Sequence, residues 1–194
     1  MNKEQINPNI GSTISFGSHD WRVLDIQDGK ALLLSSKIVE KRAYHQSNKD
    51  ITWAACDLRH YLNCEFYDSF GEGKSRIAEA NIMTSNNPWF GTDGGAETND
   101  KVFLLSIEEV VKYFGDSGQL KNHPDGALYI DDEYNPTRIA TDEHGKALWW
   151  WLRSPGISSN YVAYVGNDGN VDVYGLYNIA WSGGGVLPAL WLNL

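Results

Sequence analysis

A chain of 194 residues that is 42% apolar and 21% charged is long enough and apolar enough to bury one sizeable core, which excludes a disordered segment. Its net charge of −9 is spread along the chain with no basic stripe, so nucleic acid is not an expected partner. The sequence lacks both a run of about eighteen apolar residues and the apolar core of a signal peptide, so no membrane span is expected. A cytoplasmic location is favoured over the cell surface, which would need a removed leader.

Residues 1–12 read as a loose lead-in and residues 13–194 as a single domain. "ISFGSHDWRVLDIQDGKALLLSSK" has the pattern of a β-meander. In "DWRVLDI", Trp21, Val23 and Asp25 alternate with Arg22, Leu24 and Ile26, Asp28-Gly29 centres a turn, and "ALLLSS" is a short buried strand. "KIVEKR", residues 37–42, reads as a solvated strand end. Residues 50–70 predict a helix with Trp53, Leu58, Tyr61, Leu62 and Phe66 near helical spacing, capped by Thr52 or Asp50. Within such a helix Cys56 and Cys64 would stand about 12 Å apart, too far for a disulfide, so free thiols are expected. A turn and a short helix from about Lys74 follow, then a long surface loop over residues 83–100.

"KVFLL" predicts a strand running into Ser106. Ser106 and Glu109 form a capping-box pattern, Val110, Val111 and Phe114 give the helix its apolar face, and Gly115 ends it. Residues 116–146 look polar and irregular. Strands return at "ALWWWLRS", "YVAYVG" and "VDVYG", the last two joined by an Asp-Gly turn, and at the terminal "GVLPALWLNL".

"ALWWWLRSPG", residues 147–156, raises the question of what uses Trp149, Trp150 and Trp151 in succession. Alternation puts Trp149, Trp151 and Arg153 on one face and Trp150, Leu152 and Ser154 on the other. A strand apolar on both faces is an interior strand, and packing is the favoured reading. In the alternative, Trp149 and Trp151 flank a pocket. Arg153 is either a structural ion pair, the favoured reading, or an anchor for an anion.

These motifs, "FGSHDWRVLDIQDGKALLLS", "TWAACDLRHYLNCEFYDSF", "DKVFLLSIEEVVKYF", "WWLRSPG" and "GVLPALWLNL", together resemble a bacterial domain-of-unknown-function family from gut Firmicutes, over about Ile14 to Leu192. The resemblance implies an α+β, C-type lectin-like fold similar to that of formylglycine-generating enzymes, with twisted antiparallel sheets, two main helices and long loops. It also implies first and last strands that lie close together and a ligand surface built from the loops before the last strand. The family's terminal segment usually carries arginine where this chain has Leu187, so no role needing that arginine is carried over. The last cysteine is Cys64, so the chemistry of formylglycine-generating enzymes, which needs cysteines late in the chain, is not expected.

No catalytic motif is present, and His19, His45, His60, His123 and His144 lack zinc-site spacing. The expected function is therefore a non-catalytic, lectin-like binding module for a glycan, peptide or protein surface. Trp89, Arg153, Tyr161, Tyr164, Tyr174, Tyr177, Asn178 and Trp181 are its candidate ligand-binding residues. No cofactor is expected; calcium at "NDGNVD", residues 167–172, or "YIDDEYN", residues 129–135, is the alternative to ordinary turns. An enzyme using the same cleft would draw first on Arg153, Asp172 and His144, on residue type alone. A structural domain of an envelope or phage-like particle is a further reading.

From Ser154 to Ala180 the chain has no Lys, Glu, Gln, Met or Trp. Codons varied at their first two bases with a pyrimidine third exclude those residues, as in lectin-like receptors diversified by retroelements. On that reading Tyr161, Ala163, Tyr164, Tyr174, Leu176, Tyr177, Asn178 and Ile179 form the varied surface. A Gly/Asn-rich hairpin of ordinary origin has the same composition, and that reading is preferred.

Overall fold

Asp28 and Gly29 adopt left-handed backbone, with φ of 48° and 72°, as a tight hairpin turn requires. The computed structural model describes residues 8–178 and 183–194. Around that turn the expected meander forms from β1 (Thr13–Phe16), β2 (His19–Gln27) and β3 (Lys30–Ser35), all antiparallel. The register of β2 slips between Val23 and Asp25. The bulge breaks the expected alternation, so the neighbours Val23 and Leu24 are both buried while Ile26 is exposed.

After β4 (Glu40–Arg42), the helix expected over 50–70 breaks into a 3-10 turn at Trp53–Ala55, α1 (Asp57–Tyr61) and a π turn at Leu62–Phe66. Cys56 is the reason for the break: its backbone is extended and its Sγ accepts from the Arg59 amide, so Cys56 caps α1 in place of Thr52 or Asp50. The buried Asp100 carboxylate draws in this segment, accepting from Trp53 Nε1 at 2.8 Å and Arg59 Nε at 2.7 Å. Both cysteines are free thiols.

The short helix expected from Lys74 is instead a 3-10 turn, Gly71–Arg76, that leads into β5 (Ile77–Ala78) and β6 (Ala80–Ile82). Strand partners override the local pattern there: β6 pairs with β7 (Thr98–Asp100), inside the segment expected to be all loop. Val102–Leu105 of "KVFLL" are buried, but among the described residues the segment makes one isolated bridge, Phe103 to Ala189, rather than a strand. α2 (Ile107–Phe114) forms as expected, with both halves of the Ser106–Glu109 capping box in place.

Short elements then interrupt the irregular stretch: β8 (Tyr129–Ile130), α3 (Asn135–Arg138), β9 (Ala140–Thr141) and β10 (Ala147–Leu148). The chain closes with β11 (Trp150–Pro155), β12 (Tyr161–Val165), β13 (Val171–Tyr177), β14 (Gly184–Val186) and β15 (Ala189–Asn193). Among the described residues, one sheet runs β1-β2-β3-β15-β5 and a second runs β4-β14-β11-β12-β13-β8; β6-β7 and β9-β10 are two-stranded ribbons. The β11–β14 pairing is parallel, so the second sheet is mixed rather than wholly antiparallel. The architecture is two mixed or antiparallel sheets with few, short helices, between α+β and mostly β, and no described helix is long and apolar enough to cross a membrane.

The tryptophans are mostly core. Trp150 and Trp151 are fully buried, and their indole N–H groups donate to the carbonyls of Arg138 (3.1 Å) and Arg42 (2.9 Å). Trp149 and Trp151 meet edge to face at 4.7 Å. A Cβ on Gly184 would lie 2.3 Å from Trp151 Nε1 and 2.5 Å from the Trp149 ring, so this pair leaves room for glycine only.

A buried ion pair adjoins Trp150, at the Arg138 whose carbonyl its indole binds. Arg138 donates to Asp132 Oδ1 at 2.9 Å and to the Gly115 carbonyl at 2.8 Å, with both charged side chains essentially inaccessible. Burial alone would raise the Asp132 carboxyl; hydrogen bonds from Ser117 and Arg138 outweigh it and hold the group below the ordinary range. With the folded pKa depressed, this stabilisation is complete above the unfolded value of about 3.9 and is lost as pH falls through the folded value. Urea midpoints should therefore fall less steeply below about pH 4 in Asp132→Asn than in the wild type. An equal slope in the two proteins would contradict this.

Candidate binding face

The hairpin β12–β13 sets Tyr161 opposite Tyr177 and Tyr164 opposite Asp172. Residues on the other face of the hairpin, Val162, Val165, Val171 and Val173, are buried in the core. The tyrosines are half-buried or, for Tyr177 at 48%, exposed. Their rings form one end of a continuous aromatic ridge. Tyr177 meets Tyr161 at 4.4 Å, Tyr161 meets Tyr174 at 5.6 Å and Tyr174 meets Phe90 at 6.0 Å. Phe90 meets His123 at 6.2 Å, and His123 stacks on Trp89 at 4.2 Å with the planes 13° apart.

Asn87 joins the two halves of the ridge. Its buried side chain donates to the carbonyls of Pro155 (2.8 Å) and Val173 (2.9 Å) and accepts from the amides of Trp89 (2.9 Å) and Phe90 (3.0 Å). That satisfies every donor and acceptor site of the amide. One residue thus pins the loop that carries Trp89 and Phe90 to the strands that carry the tyrosines. The Trp89 indole donates to the Leu120 carbonyl at 2.9 Å, which fixes the ring from its other side.

Tyr164 lies at the far end of the hairpin, edge-on to Trp149 at 5.3 Å. It faces Asp172, whose carboxyl is raised by burial and only partly held down by the Gly175 amide and the Tyr164 hydroxyl. The Gly175 amide donates to Asp172 Oδ1 at 2.7 Å, so this carboxylate also shapes the bulge that returns Tyr177 to the outer face.

The remaining sequence-predicted residues lie elsewhere. Arg153 is 4% exposed, and its guanidinium grips both carboxylate oxygens of Glu109 and the carbonyls of Leu104 and Met83. This is the ion-pair alternative: the guanidinium is closed off from solvent, with its buried Nε–H alone left without a partner. Next to it, Ser154 Oγ accepts from the Ile107 amide at 3.0 Å, so "RS" of "WLRSP" clamps the start of α2 from β11. Asn178 is fully buried beneath the face, donating to the Lys49 carbonyl at 2.7 Å, and Ala163 is buried as well. Trp181 and Ile179 lie outside the described residues. Leu187 is buried and lines a small cleft near Arg22 and Arg138.

Arg153, Asp172 and His144 have separate partners: His144 is exposed beside Glu143, on the turn between β9 and β10. In "YIDDEYN", Asp132 is committed to Arg138 and Asp131 to Asn135; in "NDGNVD", Asp168 holds its own turn through Asn170. Among the described residues no group of three or more His, Cys, Asp or Glu is placed to hold a metal ion.

Phe90, His123 and Asn87 are the members of the face that sequence reasoning missed. "NPWF" inside a polar loop was the available signal, since two large aromatics in a Gly/Asn-rich segment need a partner surface.

A family model described as "Domain of unknown function (DUF6273)" matches residues 28–194. No curated protein and no solved structure matches the chain.

Proposed function

The chain belongs to the DUF6273 family, and on that premise we propose that it is a non-catalytic ligand-binding module, of C-type lectin-like fold, that uses the aromatic ridge of the β12–β13 hairpin. The observation that carries the reading is the ridge itself: rings from three separate segments displayed in contact and pinned by one buried asparagine. Tyrosine supplies rigid contact area with one apolar face and one polar tip, at little entropic cost. The lectin-like fold is supported by the C-terminal strand β15 lying against the N-terminal meander, between β3 and β5.

Ring geometry favours a peptide or protein surface over a polysaccharide. Tyr161–Tyr174 and Phe90–Tyr174 are perpendicular, at 86° and 90°. Such rings present faces and edges in alternation, whereas a row of sugar rings stacks best on parallel, outward faces. The test is a panel of peptides, purified surface proteins and glycans. At least one peptide or protein is expected to bind, and failure of every member up to about 1 mM would count against the module.

A second reading, a receptor diversified by a retroelement, rests on the residue types missing from 154–180 and on the exposed or half-buried tyrosines of the hairpin. Sequencing the coding region and its flank tests it. A near-copy of that stretch differing at adenines, beside a reverse transcriptase gene, is the expected result; no such copy would retire the reading.

A further inference from the structure

A separate cleft lies where α2 and α3 meet the N-terminal meander. A cleft of about 160 Å³ is lined by Thr13, Arg22, Ser36, Phe114 and Arg138 among others, with Leu187 in its wall. In a chain with 25 acidic residues, no Asp or Glu lines it. Arg22 sits over the Phe114 ring at 5.1 Å, and among the described residues it has no carboxylate within ion-pair distance. Arg138 is fully buried, yet its Nε–H has no hydrogen-bond partner. Its other nitrogens are committed to Asp132 and Gly115.

The charges leave a definite remainder. Asp132 neutralises Arg138, so the cleft keeps the single positive charge of Arg22. A half-buried guanidinium without a counter-ion carries a desolvation cost that an oxyanion would relieve. A guanidinium fork matches a planar carboxylate in shape, and the Thr13 and Ser36 hydroxyls supply further donors. Leu34, Ile139, Ala140 and Leu187 make the rest of the lining apolar. The volume is several times the roughly 30 Å³ share of one water molecule, enough for a carboxylate with a short tail. We propose that this cleft binds the carboxylate of a small monovalent acid with a short apolar tail.

Sodium butyrate, titrated into the full chain at constant ionic strength and followed by amide and Arg Nε–H chemical shifts, tests the assignment. Saturable shifts are expected at Arg22, Ser36 and Ile139, with a dissociation constant of about 1 mM. Arg22→Gln should abolish them, and Arg22→Lys, which keeps the charge without the fork, should weaken binding roughly tenfold. Should Arg22→Gln fail to fold, Ser36→Val serves as the second variant, with weaker binding expected. Inorganic phosphate should compete poorly, because the second negative charge has no partner. Absence of a saturable shift, a shift unchanged in a folded Arg22 or Ser36 variant, or phosphate binding tighter than butyrate would each overturn the proposal.

Discussion

Asn87→Ala is expected to lower the unfolding free energy by about 3 kcal/mol while exposing the Trp89 indole to water. The side chain removed holds two carbonyls, Pro155 and Val173, and two amides, Trp89 and Phe90. Each buried backbone group stranded without a partner costs roughly 1–3 kcal/mol, less where water can reach it, as it can beside half-buried Trp89. Asn87→Asp keeps the shape but cannot donate to the two carbonyls and opposes them with a charge, so it should do no better. Chemical denaturation gives the energy, and a red shift of tryptophan emission reports release of the loop. A loss under about 1 kcal/mol would mean that another contact holds the two halves of the ridge together.

Glu109→Ala is expected to be more damaging still, and more so than Arg153→Met. The alanine strands a guanidinium that is 4% exposed, at a cost of about 3–5 kcal/mol, and also removes one half of the α2 capping box, worth about 1 kcal/mol. The methionine instead strands Glu109, whose side chain is 28% exposed and can be rehydrated, so about 2 kcal/mol is expected. The double variant should recover part of the Glu109→Ala loss, because it no longer buries an unpaired charge. Denaturant midpoints for the two single variants and the double variant check this, and equal costs for the single variants would contradict it.

Local signals carried the parts of the fold that depend on near neighbours. The Asp28-Gly29 turn, the Ser106–Glu109 box and the hairpin around Asp168-Gly169 all stand where turn chemistry put them. Elements whose state depends on distant partners were not legible. Residues 77–82 look helical alone and become strands because β15 and β7 offer them edges. Cys56 splits the expected 50–70 helix, and its capping geometry has no clear sequence signature. The parallel β11–β14 pairing rests on a three-residue strand, too short to show periodicity.

The same division holds at the candidate face. Tyr161, Tyr174 and Tyr177 meet on the hairpin, whereas strict alternation would put Tyr161 opposite in facing to Tyr164 and Tyr174 to Tyr177; the register shift between Val162 and Tyr164 breaks that alternation. Asn178 reads as one more polar surface residue but is buried, because Lys49 and His45 close over it. The partner of Arg153 lies 44 residues away, which no local reading could supply. Asn87 is the least legible: nothing in "SNNPWF" distinguishes it from Asn86, and only the fold gives it four partners.

The central claim is that the ridge is a displayed binding face. It is tested most directly by selecting a displayed peptide library against the wild type and a Tyr161→Ser/Tyr174→Ser/Tyr177→Ser variant in parallel. The account predicts peptides that bind the wild type and not the variant. The variant itself should stay folded and lose only about 1–3 kcal/mol, since the rings removed are half-buried at most. Binders indifferent to the substitutions, or a variant that unfolds because the tyrosines are core, would contradict it.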